Sequence, residues 1–170
     1  MDTQDVQRRY WDQFARLKRD AIYISRYHSR VETIDRWINI FTAIMSSGAI
    51  AGWAIWNHIG WVWGAAIAAA QVISAVKPYL PFQNRKRMLA KFGADLETLA
   101  LAAEADWMKV ARLTISEEEI HNRTMTLKRK CLAAQNRAFA GASLPEKVRW
   151  VEAADRDAAD YMNSYVMDEG

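Results

Sequence analysis

At 170 residues, with 25% charged residues and a net charge of +3, the chain has the length of one architectural unit, and its balance is too weakly basic for a nucleic-acid binder, which needs a basic face. The lone Cys131 excludes an intramolecular disulfide and fits a reducing setting as a buried thiol. The mean hydropathy of −0.23 suggests an ordinary soluble protein, but no Asp, Glu, Lys or Arg occurs between Arg36 and Lys77, so the average conceals a segregated chain.

The N-terminus, MDTQDVQRRYWDQFARLKRD, has no apolar core of the kind a cleavable signal peptide needs. Tyr10, Phe14, Leu17, Ala21, Ile24, His28 and Val31 recur at alternating steps of four and three. That seam, with charges between, predicts a long helix running unbroken into the apolar segment.

WINIFTAIMSSGAIAGWAIW, from Trp37 to Trp56, is about 20 residues without a charge, the length a helix needs to cross a hydrocarbon core of ~30 Å. After the short Asn57–Gly60 turn, WVWGAAIAAAQVISAV begins a second span from Trp61 to about Leu80, with Lys77 able to snorkel. Trp53, Trp56, Trp61 and Trp63 fall at the turn and form an aromatic belt, while Trp37, Tyr79 and Phe82 supply the belt at the other end. Arg26, Arg30 and Arg36 precede the first span; Lys77, Arg85, Lys86 and Arg87 follow the second; the turn has no basic residue. The bias toward basic ends places both termini in the cytoplasm and the turn outside, in a multi-pass membrane protein. A buried helical hairpin in a soluble protein is the alternative, since it too is apolar all round.

Small residues give the spans packing surfaces. Gly48 and Gly52 are four apart, Gly60 and Gly64 likewise, and Ala68 lies within an alanine-rich face, so helices can approach closely in a homo-oligomer or within the hairpin alone. Thr42, Ser46, Ser47, Gln71 and Ser74 are candidates for lining a pore, and equally for hydrogen bonds between helices. No ionisable group of the kind that relays protons or couples ions sits in either span.

After the second span, Leu89, Phe92, Leu96, Leu99, Ala103, Asp106 and Val110 repeat the four-three spacing and predict a helix from about Asn84 to Ala111, an antiparallel stalk partner for the first, with Pro78 and Pro81 breaking the join. Ser116 and Glu119 form a capping box that opens a helix to about Phe139, ended by Gly141; Ser143 and Glu146 open another to about Val166. Ile120, Leu127, Leu132, Val148, Val151 and Tyr161 are their apolar positions for packing on the stalk. The expected fold is all-α: a transmembrane helical hairpin continuing into a cytoplasmic helical stalk with two packed C-terminal helices. The expected divisions are an N-terminal helix (1–36), a hairpin (37–80), a stalk helix (81–113) and a tail (114–170).

Chemistry is not visible. His28, His58 and His121 share no metal-ligand spacing, and Glu117 with His121 reads as a solvated helix face. Glu117, Glu118 and Glu119 suit a helix N-terminus, and Cys131 has no partner for nucleophilic chemistry. No catalytic, cofactor-binding or metal site is assigned, and an enzyme is not expected. The run Asn84, Arg85, Lys86, Arg87 reads as a juxtamembrane anchor or, with Arg26 and Arg30, as a collar for an anionic messenger.

This layout, with a cytoplasmic helix carrying RYHSR, a very short turn between spans, a second span leading into QVISAVKPYLPF and a helical tail, resembles the SLATT family of bacterial two-helix membrane effectors over roughly residues 10 to 165. The resemblance implies a homo-oligomeric pore in bacterial antiphage defence, gated through its cytoplasmic helices and coupled to a nucleotide-signalling or sensor protein. It transfers no catalytic motif. A non-conducting membrane scaffold and a holin-like toxin are the alternative functions.

Overall fold

The computed structural model describes residues 3–55, 60–77, 82–139 and 148–167, the side chains of 46–55, 60, 63, 82, 83 and 165–167 excepted. All its regular elements are α-helices, in the order α1 (Thr3–Ile55), α2 (Gly60–Val76), α3 (Phe82–Ala111), α4 (Glu117–Phe139) and α5 (Val148–Met167). The unbroken first helix, the all-α class and the helix ending at Ala111 follow the periodicity. The chain divides into two units: residues 1–28 with 87–170, and residues 29–86.

In the first unit the four-three seam of α1 buries Val6, Tyr10, Phe14, Leu17, Ala21 and Ile24. It runs antiparallel to α3, which buries Leu89, Phe92, Leu96, Ala100, Ala103 and Val110. Three polar contacts fix the register. Gln7 Nε2 donates to the Val110 carbonyl at 2.9 Å, Tyr10 Oη to the Ala103 carbonyl at 3.0 Å, and Lys18 Nζ pairs with Glu97 at 3.2 Å. The Gln7 amide also reaches the Ala111 carbonyl at 3.3 Å, so it caps the last turn of α3. Gly93 leaves room for Ile24 against α3, because a Cβ there would meet Ile24 Cγ2 at 3.3 Å. On α3 the buried position is Ala100 rather than Leu99, which is half-buried. A straight helix of 3.6 residues per turn drifts away from a strict seven-residue repeat.

The turn from α3 to α4 is a Schellman motif: Thr114 N donates to the Lys109 carbonyl at 3.1 Å and Leu113 N to the Val110 carbonyl at 3.2 Å. Leu113 occupies the left-handed position of that motif, with φ 52°, where glycine is the usual residue. Ser116 Oγ then accepts from the Glu119 amide at 3.2 Å, the cap expected there.

Helix α4 buries Ile120, Thr124, Leu127, Ala134 and Ala138. The Thr124 hydroxyl donates to the Ile120 carbonyl at 2.9 Å. Arg123 bridges Asp106 at 2.5 Å and Glu119 at 2.6 Å, and Phe139 meets Phe92 edge-on at 5.1 Å, so α4 runs antiparallel to α3. Helix α5 buries Ala154, Ala158 and Met162. It is held by Arg19 to Asp155 at 3.8 Å, by Arg26 to Asp157, by Trp150 on Tyr27 at 5.7 Å and by Tyr161 Oη to Glu104 at 2.7 Å. Both terminal helices pack on the α1–α3 pair as expected. Leu132 and Val148, expected to take part in that packing, are 58% and 71% exposed. Leu132 lies off the α4 face that Ile120, Leu127 and Ala134 bury, and α5 packs through Ala154, Ala158 and Met162 instead of Val148.

Among the described residues no helix is long and apolar enough to cross a membrane. Helix α2 has 17 residues, stopping at Val76 short of the expected Leu80. The side chains of Ser46 to Ile55 and all of 56–59 and 78–81 lie outside the described residues. The fold is therefore all-α, and the transmembrane hairpin is no part of what the described residues establish.

Candidate functional site

The second unit is the part of the chain whose chemistry its own packing leaves unexplained. It combines α1 from Ser29 onward, α2, and the start of α3 as far as Lys86. Asp35 is buried, 7% exposed, and its carboxylate accepts from Lys86 Nζ at 2.6 Å. Lys77 Nζ donates to the side-chain carbonyl of Asn39, so this cation rests on a neutral partner. The two contacts pair α1 with the chain that follows α2.

On α2 the half-buried or buried positions are Ala66, Ile67, Ala70 and Ile73 at helical spacing, and they form its packing face. Everything else described on α2 is exposed, including the large apolar side chains Trp61 (79%), Val62 and Val72. On α1 the same holds for Ile34, Trp37 (64%), Ile40 and Ile44. Large apolar side chains exposed along both helices are what membrane and protein contacts require and what free surfaces avoid.

The residues expected to act in oligomer packing divide. Gly64 and Ala68 are exposed, and a Cβ at Gly64 would have nothing within 4 Å, so the intrachain hairpin does not use it. Gly48 and Gly52 lie outside the described side chains. Of the pore-lining candidates, Gln71 and Ser74 are exposed on α2. Thr42 is half-buried and its hydroxyl donates to the Ile38 carbonyl at 2.8 Å within its own helix. Ser46 and Ser47 lie outside the described side chains, as do the belt residues Trp53, Trp56 and Trp63. Arg36 and Arg85 are exposed, Lys86 is held by Asp35, and Arg87, exposed, belongs to the first unit. Asp35 escaped the sequence reading. The signal available for it was a solitary acid at the border of the uncharged stretch, with lysine across the hairpin.

A cleft of about 340 Å³ in the first unit is lined by Ala21, Ile24, Leu89, Gly93 and Ala94, with Ser25, His28 and Glu97 among its polar groups. Burial, with the Asp20 charge adding to it, pushes the Cys131 thiol above its ordinary range, so less of it is the reactive thiolate. Among the described residues no group of three or more His, Cys, Asp or Glu could hold a metal ion. Comparison of the chain with protein-family models, with curated proteins and with solved structures gives no match.

Proposed function

We propose that the second unit is embedded in the bacterial inner membrane and that the chain works as a homo-oligomeric pore-forming effector, in the manner the resemblance to antiphage effectors implies. The observation that carries this reading is the exposed apolar side chains on a stretch, Trp37 to Val76, that holds no charged residue. In water such a surface costs on the order of 25 cal/mol per Å²; lipid or a second copy removes that cost. Gly64, Ala68, Gln71 and Ala75 recur at steps of four, three and four on the exposed side of α2, small enough for close helix approach and with one amide to hydrogen-bond across it.

The test is ion or dye flux from liposomes holding the purified chain, beside Gly64→Leu. Because a Cβ at Gly64 has nothing within 4 Å, the variant is expected to keep its helical content by circular dichroism, and on this reading it loses its oligomer and its flux together. An oligomer of unchanged mass in lipid removes α2 from the interface. Liposomes that stay tight around an inserted oligomer, with the genomic neighbours' products added, overturn the pore.

A second reading, the non-conducting scaffold, draws support from the first unit, which has a buried core and ion pairs of its own and needs no pore to be stable. Deleting residues 114–170 separates the two, since a scaffold then loses its partner and keeps only its membrane attachment.

A further inference from the structure

The charge of this chain is not spread over it. Of its 23 Lys and Arg and 20 Asp and Glu, five cations (Arg30, Arg36, Lys77, Arg85, Lys86) and two acids (Glu32, Asp35) fall in residues 29–86. The first unit thus has eighteen of each sign, and the whole net charge of +3 belongs to the second. Within the second unit every charge lies at one end. The positions on α1 run from Arg30 to Asp35 and Arg36, a rise of about 9 Å, and the Asp35–Lys86 contact at 2.6 Å brings the start of α3 to the same level. That contact also takes the Asp35 carboxylate off the surface, where it would otherwise neutralise its neighbours. Arg30, Arg36 and Arg85 are exposed and, among the described residues, held in no ion pair, and Lys77 rests on a neutral amide. Trp37, 64% exposed, and Ile34 and Ile40 border the band on α1.

We infer that this end of the second unit selects anionic phospholipid headgroups, with Arg36 and Arg85 as the principal phosphate ligands; the inference rests on the membrane reading above. A guanidinium offers two parallel N–H donors to a phosphate, and it gains most where apolar neighbours thin the water around it. The exposed Trp37 indole beside Arg36 supplies an anchor suited to headgroup depth. The Asp35–Lys86 pair is a positioning element, because it holds the arginine-bearing segments side by side and takes one of the unit's two carboxylates off the surface, Glu32 remaining exposed a turn before Arg36.

The experiment uses the full chain in phosphatidylcholine bilayers with trace spin-labelled phosphatidylcholine or phosphatidylglycerol, and reads the motionally restricted fraction of each label by electron paramagnetic resonance. The expected result is a preference for the phosphatidylglycerol label of at least about fivefold, the worth of roughly one arginine near an anionic headgroup. The preference falls toward unity in the double variant Arg36→Gln with Arg85→Gln, and lysine at both positions restores only part of it, since an ammonium keeps the charge without the paired donors. Arg112→Gln with Arg149→Gln, exposed in the first unit, leaves it unchanged. Equal restriction of the two labels, or a preference indifferent to Arg36 and Arg85, overturns the inference while leaving the membrane reading standing. Loss of the preference on adding inorganic phosphate at constant ionic strength overturns it in favour of a soluble anion. If neither label is restricted, the membrane reading itself fails and this inference with it.

Discussion

The two units use their apolar residues in opposite ways. Among the described residues, 22 apolar side chains are buried, and Ala70 alone of them belongs to the second unit. The first unit turns Tyr10, Phe14, Leu17, Leu89, Leu96 and Ile120 inward and keeps eighteen charges of each sign. The second turns Trp37, Ile44, Trp61 and Val72 outward. Apolar side chains thus close a core in one unit and leave a surface awaiting a partner in the other. The uncharged stretch of the second unit sets this difference together with the number of helix faces available to cover one another: the first unit packs four helical segments, the second little more than a pair.

The contrast is broken most directly by truncating one large side chain in each unit. Phe14→Ala, at a fully buried position, is expected to cost about 3–5 kcal/mol. Val72→Ala, at a position 62% exposed, is expected to stay within about 0.5 kcal/mol in detergent. Chemical denaturation followed by circular dichroism measures both, and a cost above 2 kcal/mol at Val72 would mean that the second unit packs more tightly than its exposure indicates.

Tyr10→Phe sharpens the comparison from the polar side, since it removes the buried phenol that donates to the Ala103 carbonyl at 3.0 Å. The expected loss is about 1–2 kcal/mol. Burial, reinforced by the Asp106 charge, raises the Tyr10 phenol well above its ordinary value. The folded state therefore holds this proton more tightly than the unfolded chain, and its contribution is complete below pH ~10 and lost as pH rises beyond it. Denaturation of the wild type and of Tyr10→Phe at pH 8 and at pH 11 reads this directly: the difference between them narrows at the higher pH, and a gap that stays constant removes the phenol from the alkaline loss.

The smallest effect is a gain. Leu113→Gly releases a residue held at φ 52° and half exposed, where glycine has no Cβ penalty. It is expected to stabilise the first unit by about 0.5–1 kcal/mol. A rise in its melting temperature is the measurement, and no rise would show that Leu113 gains as much from packing as it loses in backbone strain.

The four-three spacing of Tyr10, Phe14, Leu17, Ala21 and Ile24 was legible as a buried seam because helical period alone decides which side chains share a face. Leu89, Phe92 and Leu96 were legible for the same reason, as was the Ser116 cap, whose geometry is local. Leu132 and Val148 were misread, because a helix shows which residues are apolar and not which face its neighbours will cover. The Asp35–Lys86 pair and the Arg26–Asp157 and Tyr161–Glu104 contacts, between residues 51, 131 and 57 positions apart, have no local signature. By itself the sequence determined the helical class, the seams and caps, and the separation of an uncharged middle from balanced ends. Only the tertiary structure decided that Asp35 leaves the surface on Lys86 and that Gly64 and Ala68 stand exposed on α2. Those outcomes depend on which helix meets which, and chain-distant contacts set that choice.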